Sequence, residues 1–164
     1  MTTEQLVVQI KKKKSFLCIG LDVDLTKIPP HILKDKNPIF AFNKAIIDGT
    51  HDLVCAYKPQ FAYYGGQAAE VQLGKTVHYI KEKYSDIPVI LDSKRGDIGA
   101  TSEMYARESF ERYNVDAVTV NPYMGGETLQ PFLDWKDRGV VVLCKTSNPG
   151  SGEFQDLKCD GRPL

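Results

Sequence analysis

Short continuous apolar runs alternate along this chain with longer stretches in which apolar positions recur every three or four residues. The runs FLCIGLD (16–22), LVCAYKP (53–59), PVILD (88–92), DAVTVNP (116–122) and GVVVLCK (139–145) read as strands buried on both faces, because polar and apolar positions do not alternate within them. Helical periodicity fills the gaps. A first helix is predicted over 2–14, with Thr2 or Thr3 as cap and a lysine run, Lys11 to Lys14, as a solvated end at its negative pole. Others are predicted over 37–49, with Phe42, Ala45 and Ile46 on one face, over 67–84 after a Gly-Gly pair, over 100–113, and over 127–135. The segment 24–38, with Pro29, Pro30 and Pro38, predicts a loop, and from Thr146 the chain turns polar and glycine-rich.

Strands separated by helices, at a spacing of roughly 25–40 residues, predict βα units and a parallel sheet covered on both faces. Five strands fall short of the eight that close a barrel. The alternatives are a small open sheet or the front part of a larger barrel. An end at Asp160-Gly-Arg-Pro-Leu164, with neither a terminal helix nor a closing strand, favours the barrel. At 164 residues, without repeats, low-complexity tracts or linkers, the expectation is a single partial domain over 1–164.

Composition narrows the partners. Lysine plus arginine and aspartate plus glutamate number 21 each, so no global field favours nucleic acid or an acidic membrane. No apolar run approaches the roughly 20 residues of a membrane span. The N-terminal positive charge follows rather than precedes a short apolar stretch, the wrong order for a secretory signal. Cys18, Cys55, Cys144 and Cys159 form no CxxC pair, and the first three fall inside predicted strands as small hydrophobes. A reducing, cytoplasmic setting without disulfides or zinc is expected.

Charge changes the picture most at the strand ends. Each predicted strand finishes in a polar group: Asp22, Lys58, Asp92 with Lys94, Asn121, then Lys145 to Asn148. In a parallel sheet these ends converge on one rim, where barrel enzymes carry their chemistry. The densest segment is PVILDSKRGDIGAT (88–101), where Asp92 and Lys94, two apart on a strand, fall on one face and Asp97 on the following turn. Plainer readings exist for each: a solvated turn with an internal salt bridge, a snorkelling Lys58, Asp22 capping a turn, and turn chemistry at Ser147-Asn148. Asp24 is given no role. His31, His51 and His78 lie away from the strand ends and read as structural. No phosphate loop, dinucleotide fingerprint or nucleophile elbow is present.

Together LCIGLDVD, FNKAIIDGTHDLVCAYKPQFAYYG, LDSKRGDIGAT, VTVNPYMGGETLQPFL and TSNPGSGEFQDL closely resemble the orotidine 5'-phosphate decarboxylase family, in its longer bacterial subgroup and truncated at the C-terminus. The D-x-K-x-x-D core is shared with related phosphate-sugar enzymes, whereas the whole set is highly specific. The resemblance implies a (β/α)8 TIM-type barrel of which about the first five βα units are present. It also implies decarboxylation of orotidine 5'-monophosphate to UMP in de novo pyrimidine synthesis, without metal or organic cofactor. The family's Lys-Asp-Lys-Asp array maps to Lys58, Asp92, Lys94 and Asp97. In the family the last Asp and a nearby Thr, here Asp97 and Thr101, reach the neighbouring site of a homodimer. Asp22 corresponds to the ribose contact and Ser147 to the pyrimidine contact.

That chemistry suits these residues. Loss of CO2 leaves a carbanion without an adjacent carbonyl, and a fixed ammonium, Lys94, can stabilise it and supply the proton. Asp92 lies beside the substrate carboxylate in this reading, and Lys58 and Asp97 keep the array charged and oriented. Two rivals are weighed. A metal-dependent keto-sugar-phosphate enzyme of the same superfamily carries an acid where Lys58 stands, and a lysine there repels a divalent cation. An inactive fragment is the second, because the family's phosphate-gripping Gln and Arg lie in later strands and loops.

Overall fold

The structure, a computed structural model, describes residues 2–163. Its core is a run of five short parallel strands in sequence order: β1 (Cys18–Gly20), β2 (Ala56–Lys58), β3 (Ile90–Arg95), β4 (Ala117–Val120) and β5 (Gly139–Val142). β1 pairs with β2, β3 with β4 and β4 with β5, all parallel. The β2–β3 junction is thinner. It is held by isolated bridges at Tyr57–Val89 and Gln60–Asp92, with the Tyr57 N–H donating to Pro88 O (3.0 Å) and the Asp92 N–H to Pro59 O (2.9 Å). Both acceptor residues are prolines, which cannot return a backbone donor, so the ladder is sparse at that seam. Neighbours that follow sequence order throughout, with no strand-order reversal, are the pattern of a barrel wall rather than a doubly wound sheet.

Helices pack along the wall: α1 (Thr3–Lys13), α2 (Pro38–Thr50), α3 (Phe61–Gly65), α4 (Glu70–Lys83) and α5 (Gly99–Arg107), the last continued by a π-turn at Glu108–Arg112. α1 starts where expected, because Thr2 and Gln5 form a reciprocal capping box. Its lysine end is solvated as expected, with Lys11, Lys12 and Lys14 exposed, and it also makes two contacts: Lys12 pairs with Asp86 at 2.6 Å and Lys13 donates to the His51 carbonyl at 2.8 Å. Fully buried side chains, Tyr57, Tyr64, Ile39, Ile47, Leu73, Ile80, Leu91, Phe110 and Phe132, fill the space between helices and strands. At the amino end of the strands Asp116 ties three elements together. It accepts from Lys81 at 2.5 Å and from the Val89 N–H at 2.8 Å.

Several elements depart from the sequence reading. α3 was not anticipated, and the following helix begins at Glu70, not Gln67. The helix expected at 127–135 splits into a 3-10 turn (Gly126–Leu129) and α6 (Gln130–Leu133), with Pro131 in the first turn of α6. The stretch after Thr146 is not all loop. It forms α7 (Gly152–Gln155) and an antiparallel pair, β6 (Lys158–Cys159) with β7 (Arg162–Pro163). Asp160 and Gly161 both have positive φ, 52° and 80°, as a two-residue hairpin turn requires. The cysteines also differ from expectation. Cys55 is buried, but Cys18 on the outer strand β1 and Cys144, past the end of β5, are exposed; all four are free thiols. Apolar side chains are exposed at both outer strands, including Leu17 beside β1 and Val141 and Val142 on β5.

Candidate active site

The carboxyl ends of the strands carry one connected charge cluster. Lys58, the last residue of β2, places its Nζ 2.8 Å from Asp92 Oδ2, and Lys94 places its Nζ 2.7 Å from Asp92 Oδ1. A single carboxylate on β3 therefore bridges two ammonium groups, one from the neighbouring strand and one from its own. Asp92 is buried, Lys58 is partly buried and Lys94 is exposed. Burial alone pushes the Asp92 carboxyl up, but hydrogen bonds from Lys58, Lys94 and Thr119 outweigh it and hold the group at about 2. Burial of Lys58 acts against its charge, yet the bond to Asp92 and the charges of Asp92 and Asp22 leave it raised overall. Asp92 and Lys58 thus each hold the other's charged form.

Simple strand alternation does not explain why Asp92 and Lys94 meet. Leu91 faces Val118 and Arg95 faces Val120, so four steps along β3 match two along β4. β3 bulges there, and Lys94 sits at φ +47°, a left-handed conformation that costs a non-glycine residue about 1–2 kcal/mol. The bulge sends neighbouring side chains to opposite faces. Lys94 turns to the rim, while the Arg95 guanidinium lies 4.4 Å from the ring centroids of both Phe61 and Tyr105 and pairs with Glu108 at 2.7 Å. Arg95 so anchors β3 to α3 and α5 behind the site. Gly96 lets the chain pass close to β4: a Cβ there would sit 3.1 Å from Asn121 O.

A second set of contacts fixes the segment after β1. The Leu21 N–H donates to Lys58 O (3.1 Å), extending the ladder to the residue before Asp22. The Tyr64 hydroxyl of α3 donates to Leu21 O (2.9 Å), and the Gln67 side chain donates to Val23 O (2.8 Å) while accepting from the Leu25 N–H (2.9 Å). Asp22 is exposed on this braced segment, and its charge reaches Lys58.

Three of the sequence-selected residues, Lys58, Asp92 and Lys94, are in direct contact, and Asp22 lies within their electrostatic reach. Asp97, Thr101 and Ser147 are not drawn into the cluster. Asp97 lies in the turn before α5, where its carboxylate accepts from the Ile98 N–H (2.8 Å); no cation pairs with it among the described residues. Thr101 is exposed in the first turn of α5. Ser147 is exposed after β5, in a turn braced by Gln155, which accepts from the Thr146 N–H at 2.8 Å and donates from Nε2 to the Thr146 hydroxyl at 2.9 Å. The residue missed from sequence is Thr119, which donates to Asp92 Oδ1 at 2.9 Å. A lone hydroxyl inside the otherwise apolar run AVTV (117–120) was the available signal. No group of three or more His, Cys, Asp or Glu side chains with metal-site geometry occurs among the described residues, and no helix there is long and apolar enough to cross a membrane.

An incomplete barrel wall of parallel strands, with a Lys-Asp-Lys cluster at its carboxyl rim, defines the class as a TIM-type α/β protein with an enzyme-like site. The chain belongs to the orotidine 5'-phosphate decarboxylase / HUMPS family, whose model matches residues 15–163. It is 54% identical over 162 residues to the orotidine 5'-phosphate decarboxylase of Cupriavidus necator, covering 99% of this chain and 60% of that protein. With the Cellvibrio japonicus protein of the same name it shares 58% identity over 152 residues, 92% of this chain and 56% of that one. The chain thus spans less than two thirds of the length of these curated relatives. Among solved structures it resembles the OMP decarboxylase of Leishmania donovani, with a TM-score of 0.83 at 37% identity, covering 98% of this chain and 60% of that chain. It also resembles the UMP synthase of the same organism, with a TM-score of 0.85 at 37% identity, covering 98% of this chain and 34% of that one.

Proposed function

We propose that this chain supplies the charged half of an orotidine 5'-monophosphate decarboxylase site. The observation that carries the reading is the Asp92 carboxylate held between Lys58 and Lys94, at 2.8 and 2.7 Å, on the strand rim of a family member. In this reading Lys94 faces the pyrimidine carbon that loses CO2, stabilises the developing carbanion and protonates it. The C–C bond breaks with its electron pair left on the ring carbon, and the Lys94 ammonium proton ends there. Asp92, ionised beside the substrate carboxylate, disfavours that charge relative to neutral CO2. Lys58 keeps Asp92 ionised and placed.

Asp22 serves the ribose and Ser147 the pyrimidine. Asp97 and Thr101 reach the neighbouring site of a homodimer. Support for that crossing is that Asp97 has no cation of its own among the described residues, and that Ile98 and Met104, which flank Thr101, are 62% and 59% exposed. The chemistry needs no metal or organic cofactor. Lys58 also weighs against the metal-dependent sister reaction, since its ammonium occupies the place where an acid is needed to hold a divalent cation.

A chimera in which residues 1–164 replace the matching part of the Cupriavidus necator relative tests the reading. It should consume orotidine 5'-monophosphate, followed by absorbance, equally well in EDTA. The Lys94→Ala chimera should lose at least about a hundredfold in turnover. Wild-type turnover in that variant would refute the mechanism, and loss of activity on chelation would favour the metal-dependent reading. The 164-residue chain alone should turn over far more slowly than the chimera, because binding energy from a remote phosphate contributes to such reactions.

A further inference from the structure

Thr119 of β4 makes three hydrogen bonds through one oxygen. Its Oγ accepts from the backbone N–H groups of Ser93 (3.0 Å) and Lys94 (2.9 Å), and it donates to Asp92 Oδ1 (2.9 Å). A hydroxyl has one proton and two lone pairs. With both lone pairs taken by the bulge, the proton has one direction left, toward Asp92. The residue is 7% exposed, so water does not compete freely for these bonds.

Those two N–H groups belong to residues that the bulge has removed from the strand ladder, since paired register resumes only at Arg95. Unsatisfied, each would cost about 1–3 kcal/mol. The left-handed Lys94 would add its own strain. Thr119 offsets both and ties them to the carboxylate that Lys94 contacts. Asp92, Ser93 and Lys94 thereby become one unit referenced to a single atom on the next strand. Neither Val118 nor Val120, its neighbours on β4, can supply such an atom.

We infer that Thr119 is a positioning residue: its hydroxyl sets the β3 bulge and so fixes the Lys94 ammonium against the Asp92 carboxylate. The structural inference stands on the geometry alone; its consequence for turnover rests on the decarboxylase reading.

The test uses the 164-residue chain and NMR. In the wild-type chain the Ser93 and Lys94 amides should exchange slowly despite lacking ladder partners. Thr119→Val, close in shape but without the hydroxyl, should speed both by at least about tenfold while leaving the Val118 and Val120 amides protected. The Asp92 carboxyl should titrate higher by about one unit in Thr119→Val, and Thr119→Ser should restore both properties. Fast exchange at Ser93 and Lys94 in the wild type, which needs no variant to fold, would overturn the inference. So would a Thr119→Val chain in which neither the amides nor the carboxyl respond. In the chimera, kcat should fall with Thr119→Val, recover with Thr119→Ser, and leave KM nearly unchanged. Equal loss of kcat in both variants, or a change in KM alone, would also overturn the positioning role. An inactive wild-type chimera would count against the decarboxylase reading and leave the NMR result to decide Thr119.

Discussion

Replacing Asp92 by Asn removes the charge that two lysines share, and the structure sets the size of the effect. The carboxyl falls from an ordinary 3.8 to about 2 on folding, which corresponds to about 2 kcal/mol in favour of the folded, ionised state. Because the folded value is the lower one, this contribution is complete well above 3.8 and fades as pH drops through the folded value. About half should remain at pH 3. Lys58 works on the other side: its raised value contributes fully below 10.5 and is lost only as pH climbs past it, so the acid window separates Asp92 from Lys58, and other lowered carboxylates such as Asp48 and Asp86 cancel between the two chains. Urea unfolding can be followed through Trp135, whose ring lies 5.5 Å from Phe110 in the core cluster. At pH 7 the Asp92→Asn chain should be less stable by about 2 kcal/mol, and the gap should narrow by about half at pH 3. A gap that is absent at pH 7, or constant across that range, would show that the cluster's mutual attraction contributes nothing to folding.

Two further substitutions probe what holds the rim. Tyr64→Phe deletes the donor to Leu21 O and the acceptor for the Asn43 amide, both at 2.9 Å in a fully buried setting, and should cost about 1–3 kcal/mol in chemical denaturation. Arg95→Lys keeps the charge but loses the planar group between Phe61 and Tyr105. It should lower stability by about 1–2 kcal/mol, read as a drop in the urea midpoint, while leaving α1 amide exchange unchanged.

The strand positions were legible because buried parallel strands announce themselves as unbroken apolar runs, and the five runs became five neighbours in order. The rim residues were legible for the same reason: a charge that ends such a run stands out, as Lys58 and Asp92 do. What escaped was local. α3 is a single five-residue turn, too short to show a period, yet its Tyr64 braces the segment bearing Asp22. The bulge escaped because a left-handed lysine has no sequence signature; alternation predicted the Asp92–Lys94 contact through a regular strand that is not there. Thr119 drew no notice because a β-branched residue suits a buried strand, even though its hydroxyl breaks the apolar run. The hairpin at Asp160-Gly161 carries a readable Asp-Gly turn signal, but its two-residue strands are too short and polar to show a strand pattern.

The seam between β2 and β3 gives the Lys58–Asp92 pair a mechanical meaning. Where the prolines thin the ladder to isolated bridges, this ion pair is a side-chain rivet across the gap. Protonating or shielding Asp92 loosens the joint between the 17–60 and 88–143 portions of the wall at the same stroke as it releases the two lysines. Any ligand that draws Lys58 or Asp92 toward itself therefore pulls on the weakest joint of the sheet.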